Sequence, residues 1–136
     1  MLHLKIYTPK KIILDKEEIS SVSCQTTEGE ITILPRHIAL LTLLKEGVIT
    51  VREKDKEEFF SAGSGYIETD GKTIKILIST ALNQAEIDEK SIIEVKEQAT
   101  KLLKEQKGKA ERDKAFAMLR RAGINLKIIK KLKKKV

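Results

Sequence analysis

The apolar residues of this chain change their spacing once, near residue 85, and that change limits the folds open to it. Before it they recur at every second position: Leu2, Leu4 and Ile6 alternate with His3, Lys5 and Tyr7, and Ile74, Ile76 and Ile78 do the same later. A period of two turns one face of a strand into a core and leaves the other outside. After it, Ile92, Val95, Ala99, Leu102 and Gln106 fall three or four apart within Asp88–Gln106, a stretch without Gly or Pro. That spacing marks one face of a helix. The chain is expected to fold as a β-rich body over 1–84 followed by helices over 85–136.

Within the body, Pro9 ends the first run, and Ile12–Leu14, Ile19–Cys24 and Ile31–Leu34 follow, with Glu28-Gly29-Glu30 as a turn and Pro35 as a stop. Val48–Arg52 and Glu58–Ser61 flank Glu53–Glu57, which reads as a hairpin tip. Gly63-Ser64-Gly65 breaks the chain before Tyr66-Ile67-Glu68, and Asp70-Gly71 is a two-residue hairpin signal before Thr73–Ser79. Many short strands spaced by turns predict a sandwich or barrel, not a parallel sheet. The helical part predicts an antiparallel hairpin. Asp88 or Ser91-x-x-Glu94 caps its first helix, and Lys107-Gly108-Lys109 connects the two. The second helix runs from about Ala110 to Ala122, with Ala115, Met118, Leu119 and Ala122 on one side and Gly123 placed to end it. Its stripe is thin, and small Ala residues favour close backbone approach.

Charge divides along the same line. Residues 101–136 carry 14 Lys and Arg against Glu105, Glu111 and Asp113, a net +11, whereas residues 1–100 carry −4. A basic tail on a mildly acidic body points to nucleic acid, an anionic membrane or an acidic protein surface. If the Lys127–Val136 tail is helical, Leu126, Ile129, Leu132/Lys133 and Val136 form a basic amphipathic strip; otherwise it is a solvated terminus. No aromatic follows Phe116, which disfavours base stacking. The longest apolar run, Ile38–Leu44, is too short to span a bilayer, and Met1–Lys5 lacks a signal-peptide layout. A soluble intracellular protein is expected.

Catalytic chemistry is not visible. His3 lies on the polar phase of its strand, and His37 reads as a hydrogen-bonded loop residue. A single Cys24 alternates with Val22, as a buried inert thiol would. Two histidines and one cysteine are too few for an ordinary metal site. Gly63-Ser64-Gly65 is followed by no Gly-Lys-Ser/Thr, so it reads as a bend. Glu57 and Glu58 fall in the expected hairpin tip, where solvation explains them. A binding or regulatory protein is expected, without a metal.

Gly29-Glu30-Ile31-Thr32-Ile33-Leu34-Pro35-Arg36-His37, followed by Thr42, Leu43, Gly47 and Arg52, resembles the epsilon subunit family of F-type ATP synthases. Phe59–Glu68 is similar to that family's paired strands, Ile87-Asp88 to the opening of its first helix, and Leu119-Arg120-Arg121-Ala122 to its second. The resemblance covers essentially the whole chain in order. It implies an α+β fold, an antiparallel β-sandwich of about ten strands followed by an antiparallel two-helix hairpin. It implies a non-catalytic subunit on the central stalk with the gamma subunit, seated on the c-ring, coupling rotation to the alpha and beta subunits of the catalytic head. The hairpin of such proteins lies folded or extends along gamma, where its basic residues meet acidic loops of the beta subunits and inhibit ATP hydrolysis.

Carried over to this sequence, the resemblance assigns Glu30, Pro35, Arg36 and His37 to the c-ring and gamma interface. It assigns Arg112, Lys114, Arg120, Arg121, Lys127, Lys130 and Lys131 to the inhibitory contact. Some members bind ATP between the helices; here Ile87, Asp88 and Arg121 match that motif, but Ser91-Ile92, Gln98 and Asn125 stand where its other residues would be. With those cations gone little holds a triphosphate, so no cofactor and no regulatory ATP are expected. Thr32 and Arg36 replace glycines common in the family's loop. The resemblance further implies a peripheral position on the cytoplasmic face of a bacterial inner membrane, or the stromal face of a thylakoid, touching the membrane only through the complex. The rival reading of the residues is a small RNA-binding β-protein with a lysine-rich tail, its affinity steeply salt-dependent. A third is a membrane adaptor held by the basic strip.

Overall fold

The computed structural model describes residues 1–37, 39–105 and 108–134, with Lys134 described by its backbone alone. Ile38, Gln106, Lys107, Lys135 and Val136, all of which entered the sequence reading, lie outside the described residues. Ten strands come first: β1 Leu2–Tyr7, β2 Ile12–Ile19, β3 Ser21–Thr26, β4 Gly29–Ile33, β5 Leu40–Leu44, β6 Gly47–Glu53, β7 Lys56–Ala62, β8 Gly65–Thr69, β9 Thr73–Ile78 and β10 Ala81–Asn83. A 3-10 turn, Gln84–Glu86, leads into α1 Glu89–Lys104 and α2 Lys109–Lys134. The chain divides into two compact units, Met1–Asn83 and Gln84 onward.

The expected α+β architecture is the one observed. The strands hydrogen-bond in the order β10-β7-β6-β3-β5-β8-β9-β1-β2, with β4 paired to β3 off this path. Leu2, Leu4 and Ile6 of β1 and Ile74, Ile76 and Ile78 of β9 are all buried, as their alternation requires. They join Ile19, Val22, Ile33, Ile49, Val51, Phe60 and Ile67 in one core. Burying each such aliphatic side chain contributes about 1.5–3 kcal/mol, so a sandwich without Trp and poor in Phe closes on Ile, Leu and Val.

Four local expectations need correction. First, β1 and β9 run parallel, from His3↔Thr73 to Tyr7↔Leu77, so the sandwich is not antiparallel throughout. Second, the β6–β7 tip is only Lys54-Asp55. Glu57 and Glu58 lie within β7, where Glu57 pairs with Arg52 at 3.6 Å and Glu58 accepts from Asn83 Nδ2 at 2.9 Å. Third, the β8–β9 turn centres on Gly71-Lys72, one residue later than expected, because Asp70 N–H already pairs with the Thr73 carbonyl. Fourth, the β3–β4 turn is Thr27-Glu28. Thr26↔Gly29 is its last pair, with Thr26 Oγ1 donating to the Gly29 carbonyl at 2.7 Å. The Gly63–Gly65 segment is the bend expected, and a β-carbon on Gly65 would fall 2.0 Å from the Leu77 carbonyl.

In the second unit α1 opens on Asp88, whose carboxylate accepts from Lys90 N–H and Ser91 Oγ, each at 3.1 Å. Ile92 and Ala99 of α1 and Ala115, Ala122 and Ile128 of α2 are buried. Fully buried Ala99 and Ala115 carry only methyl groups, consistent with closely packed backbones. Glu89 and Lys133 pair at 3.4 Å and tie the start of α1 to the far end of α2, as an antiparallel hairpin demands.

The largest departure from expectation is that Gly123 does not end the second helix. α2 continues through it to Lys134, 26 residues in all. One glycine costs a helix about 1 kcal/mol relative to Ala, and that is outweighed by burying Ala122 before it and Ile128 after it. The basic tail is therefore helix. Of its expected strip, Leu126, Ile129 and Leu132 are only half-buried, and Ile128, not a member, is the side chain fully enclosed.

Candidate functional site

Glu30 and the Pro35-Arg36-His37 segment do not form one site. Glu30 is an exposed residue of β4, not of a turn, near the β3–β4 hairpin, and it accepts from Gln25 Nε2 at 3.5 Å. Pro35 stands past the other end of β4, about 16 Å away along an extended strand. The Gln25 carbonyl also receives Lys45 N–H at 2.9 Å, so the Glu30 end gathers the β3–β4 and β5–β6 turns. At this end the sandwich presents exposed Glu28, Glu30 and Lys45.

The other end is built on Leu34–His37. The His37 N–H bonds to the Leu34 carbonyl at 3.1 Å, and Arg36 has φ +66. This is a turn with Pro at its second position and a left-handed third residue, where glycine is preferred. Arg36 therefore occupies a glycine's conformation, and its exposed side chain projects from a rigid corner. Arg36 N–H donates to the Gly71 carbonyl at 3.0 Å, and Asp70 accepts from Lys72 and Thr73 N–H, each at 2.8 Å. The Thr73 and Lys72 N–H groups hold the Asp70 carboxyl below its usual range. Gly71 is thus part of this corner, although the sequence marked Asp70-Gly71 only as a turn.

Several singled-out residues are structural. Arg52 Nη1 donates to Ser23 Oγ at 2.8 Å, and that hydroxyl meets Thr32 Oγ1 at 2.8 Å. Arg52 and Thr32 thereby lock a polar seam across β4, β3 and β6. Cys24 is buried, and desolvation with the nearby Glu30 charge pushes its thiol up to about 12. It is no nucleophile at neutral pH. His3, expected to be exposed, is only partly so, because its Nε2 meets the Asp15 carboxylate. Among the described residues no cluster of three His, Cys, Asp or Glu could hold a metal, and no helix is long and apolar enough to cross a membrane.

On α2, Arg112, Lys114, Arg120, Arg121, Lys127, Lys130 and Lys131 are all exposed. At 100° per residue, Arg112, Arg120, Lys127, Lys130 and Lys131 share one side with Lys109 and Phe116, away from the Ala115–Ala122 side, while Lys114 and Arg121 leave on a flank. The helix carries ten Lys and Arg against Glu111 and Asp113.

The nucleotide-motif residues do not converge. Asp88 stands next to Glu89, which pairs with Lys133. Arg121 is twelve residues from Lys133, about 18 Å along the axis. Both Asp88 oxygens are engaged in capping, and Ile87 is half-buried just before α1.

Ten strands followed by a basic helical hairpin define the class: a β-sandwich protein with a C-terminal helical arm. Residues 1–84 match the family described as ATP synthase, Delta/Epsilon chain, beta-sandwich domain. The ATP synthase epsilon chain of Psychrobacter cryohalolentis is 35% identical over 117 residues, 85% of this chain and 85% of that protein. That of Moorella thermoacetica is 34% identical over 127 residues, covering 93% and 94%. This chain belongs to the ATP synthase epsilon chain family. In fold it is similar to a chain of the Euglena gracilis mitochondrial ATP synthase OSCP/F1/c-ring structure, with a TM-score of 0.77 at 21% identity over 87% of this chain and 74% of that one. A chain of the Tetrahymena thermophila central stalk and c-ring gives 0.55 at 21% identity over 63% and 69%.

Proposed function

We propose that this chain couples rotation of the c-ring to the catalytic head of an ATP synthase, and that its hairpin restrains ATP hydrolysis. The sandwich is the coupling body. Glu30, at one end of β4, meets the c-ring, and the Pro35-Arg36-His37 corner at the other end meets gamma. The observation that carries the inhibitory part is α2, an unbroken helix with Arg112, Arg120, Lys127, Lys130 and Lys131 on its exposed side. From Arg112 to Lys131 that side extends about 28 Å, long enough to lie along the acidic loops of the beta subunits.

The hairpin provides the two-state element such regulation needs. Its buried residues are largely alanines, so it gains little from burial and is held against α1 by a thin stripe. ATP is not part of the mechanism. That reading is supported by the capping role of Asp88 and by its separation from Arg121 along the hairpin. The chain works on the cytoplasmic face of a bacterial membrane, or its stromal equivalent, and touches lipid only through the complex.

The test is reconstitution of the synthase with the full chain and with a chain lacking residues 88–136. Hydrolysis is expected to rise with the truncated chain, and unchanged hydrolysis would remove the inhibitory role. A pull-down with the full chain should recover gamma and the c-ring; recovery of RNA in their place would favour the rival reading.

A further inference from the structure

The arginines of this chain are not spread as its lysines are. There are five, and three of them, Arg112, Arg120 and Arg121, lie on α2 within five residues of Phe116. From Lys127 onward every base is a lysine. Phe116 is 48% exposed, on the side of α2 turned from the buried alanines, with Arg112 one turn before it and Arg120 one turn after. An aromatic side chain with about half its surface in water, one helical turn from an arginine on either side, has the composition of an interface anchor, not of a solvated helix face. Arginine presents a planar fork to a carboxylate where lysine offers a point charge.

We propose that Phe116 is the anchor by which α2 docks on its partner, a protein groove with an apolar floor and a rim of carboxylates. Phe116 fills the floor, and Arg112 and Arg120 take rim carboxylates bidentately on either side. Lys127, Lys130 and Lys131 supply attraction at longer range and set the rate of encounter. This deepens the inhibitory reading above and rests on it for the identity of the partner.

The other occupants fit less well. A helix lying in a membrane interface needs a broad apolar face, and the exposed side here offers one aromatic among Lys109, Arg112, Asp113, Arg120, Gly123 and Lys127. Single-stranded nucleic acid is held by successive stacking platforms, and one ring is not a series.

The experiment measures the affinity of the full chain for epsilon-depleted synthase, together with the hydrolysis rate of the complex. Phe116→Ala is expected to weaken binding at least tenfold and to release hydrolysis, with a much smaller effect on thermal unfolding of the isolated chain, because about half of the residue is exposed. Arg112→Lys with Arg120→Lys, which keeps the charge and removes the forks, should weaken binding several-fold. Lys127→Gln with Lys130→Gln should mainly slow association and flatten its salt dependence. Affinity unchanged by Phe116→Ala overturns the anchor, as does Phe116-dependent binding to vesicles of anionic phospholipid in place of the synthase. The two readings separate through the chain lacking 88–136. If Phe116→Ala and the truncated chain both bind more weakly but hydrolysis stays the same with each, the anchor stands and inhibition falls. If the truncated chain releases hydrolysis while Phe116→Ala does not, inhibition stands and the anchor falls.

Discussion

Arg36 donates its backbone N–H to the carbonyl oxygen of Gly71 across 3.0 Å, joining the turn after β4 to the loop between β8 and β9. Both residues are left-handed, Arg36 at φ +66 and Gly71 at φ +93. Their tolerances are opposite. A β-carbon on Gly71 would fall 2.8 Å from the His37 carbonyl oxygen, in a conformation that side chains resist. Gly71→Ala is expected to destabilise the chain by about 2 kcal/mol or more. Arg36→Gly relieves a strained side-chain-bearing residue. After the freedom glycine gains in the unfolded chain is set against it, a stabilisation of about 0.5–1 kcal/mol remains. Urea unfolding followed by circular dichroism measures both. An Arg36→Gly variant no more stable than the parent would show that the arginine sits there without strain.

Asp70 makes the same corner sensitive to acid. Its carboxylate accepts the Thr73 and Lys72 N–H groups, which lower its pKa in the folded state. A carboxyl with a depressed folded pKa contributes stability that is fully present above its unfolded value, about 3.9. That contribution fades as pH falls through the lower folded value. Asp70→Asn should therefore lose stability relative to the parent at pH 7, and the difference should shrink below about pH 4. Equal losses at pH 7 and pH 3 would mean that the carboxylate's charge is immaterial.

How far the sequence anticipates this fold depends on whether the deciding interaction is local. Leu2, Leu4, Ile6, Ile74, Ile76 and Ile78 are legible because alternation alone decides which face is buried. The parallel pairing of their two strands is not, since β1 and β9 are about seventy residues apart and nothing in either run encodes direction. Gly29 and Gly71 announce turns, but the turns are displaced: Thr27-Glu28 in place of Glu28-Gly29-Glu30, and Gly71-Lys72 in place of Asp70-Gly71. Thr26 Oγ1 and the Asp70 carboxylate supply the turn hydrogen bonds and shift the register. Of the candidate site, the basic residues of the tail are legible as charge. Their union on one side of a single helix is not, because Gly123 reads locally as a stop and packing against α1 overrides it. Glu30 and His37 look adjacent in sequence and are held apart by the extended length of β4.

Cys24 gives a chemical readout of the core. Burial pushes its thiol up to about 12, so at pH 8 the folded chain holds it neutral and enclosed. Iodoacetamide or a disulfide reagent should leave the native protein unmodified and label it fully in denaturant. The unfolded thiol ionises near 8.5. The folded state accordingly loses stability relative to the unfolded one as pH rises from there toward 12. Stoichiometric labelling of the native chain at pH 8 would place Cys24 outside the core.

Gly123 separates helix stability from helix contact. It lies within α2, and a β-carbon built on it meets no atom within 4 Å. Neither a left-handed turn nor a close backbone approach requires glycine there, so its effect on the folded hairpin is the loss of helix propensity. Gly123→Ala should stabilise α2 by about 0.5–1 kcal/mol. Amide hydrogen exchange is expected to slow on both sides of residue 123, from Arg120 to Leu126, with the sandwich unaffected. The same variant bears on regulation. If the inhibitory state keeps α2 helical, a stiffer helix binds the head as tightly as the parent or more so, and hydrolysis falls. If that state bends the helix at Gly123, the alanine opposes it and hydrolysis rises while exchange still slows. Slower exchange with lower hydrolysis therefore identifies an inhibitory arm that acts as one rigid 26-residue rod.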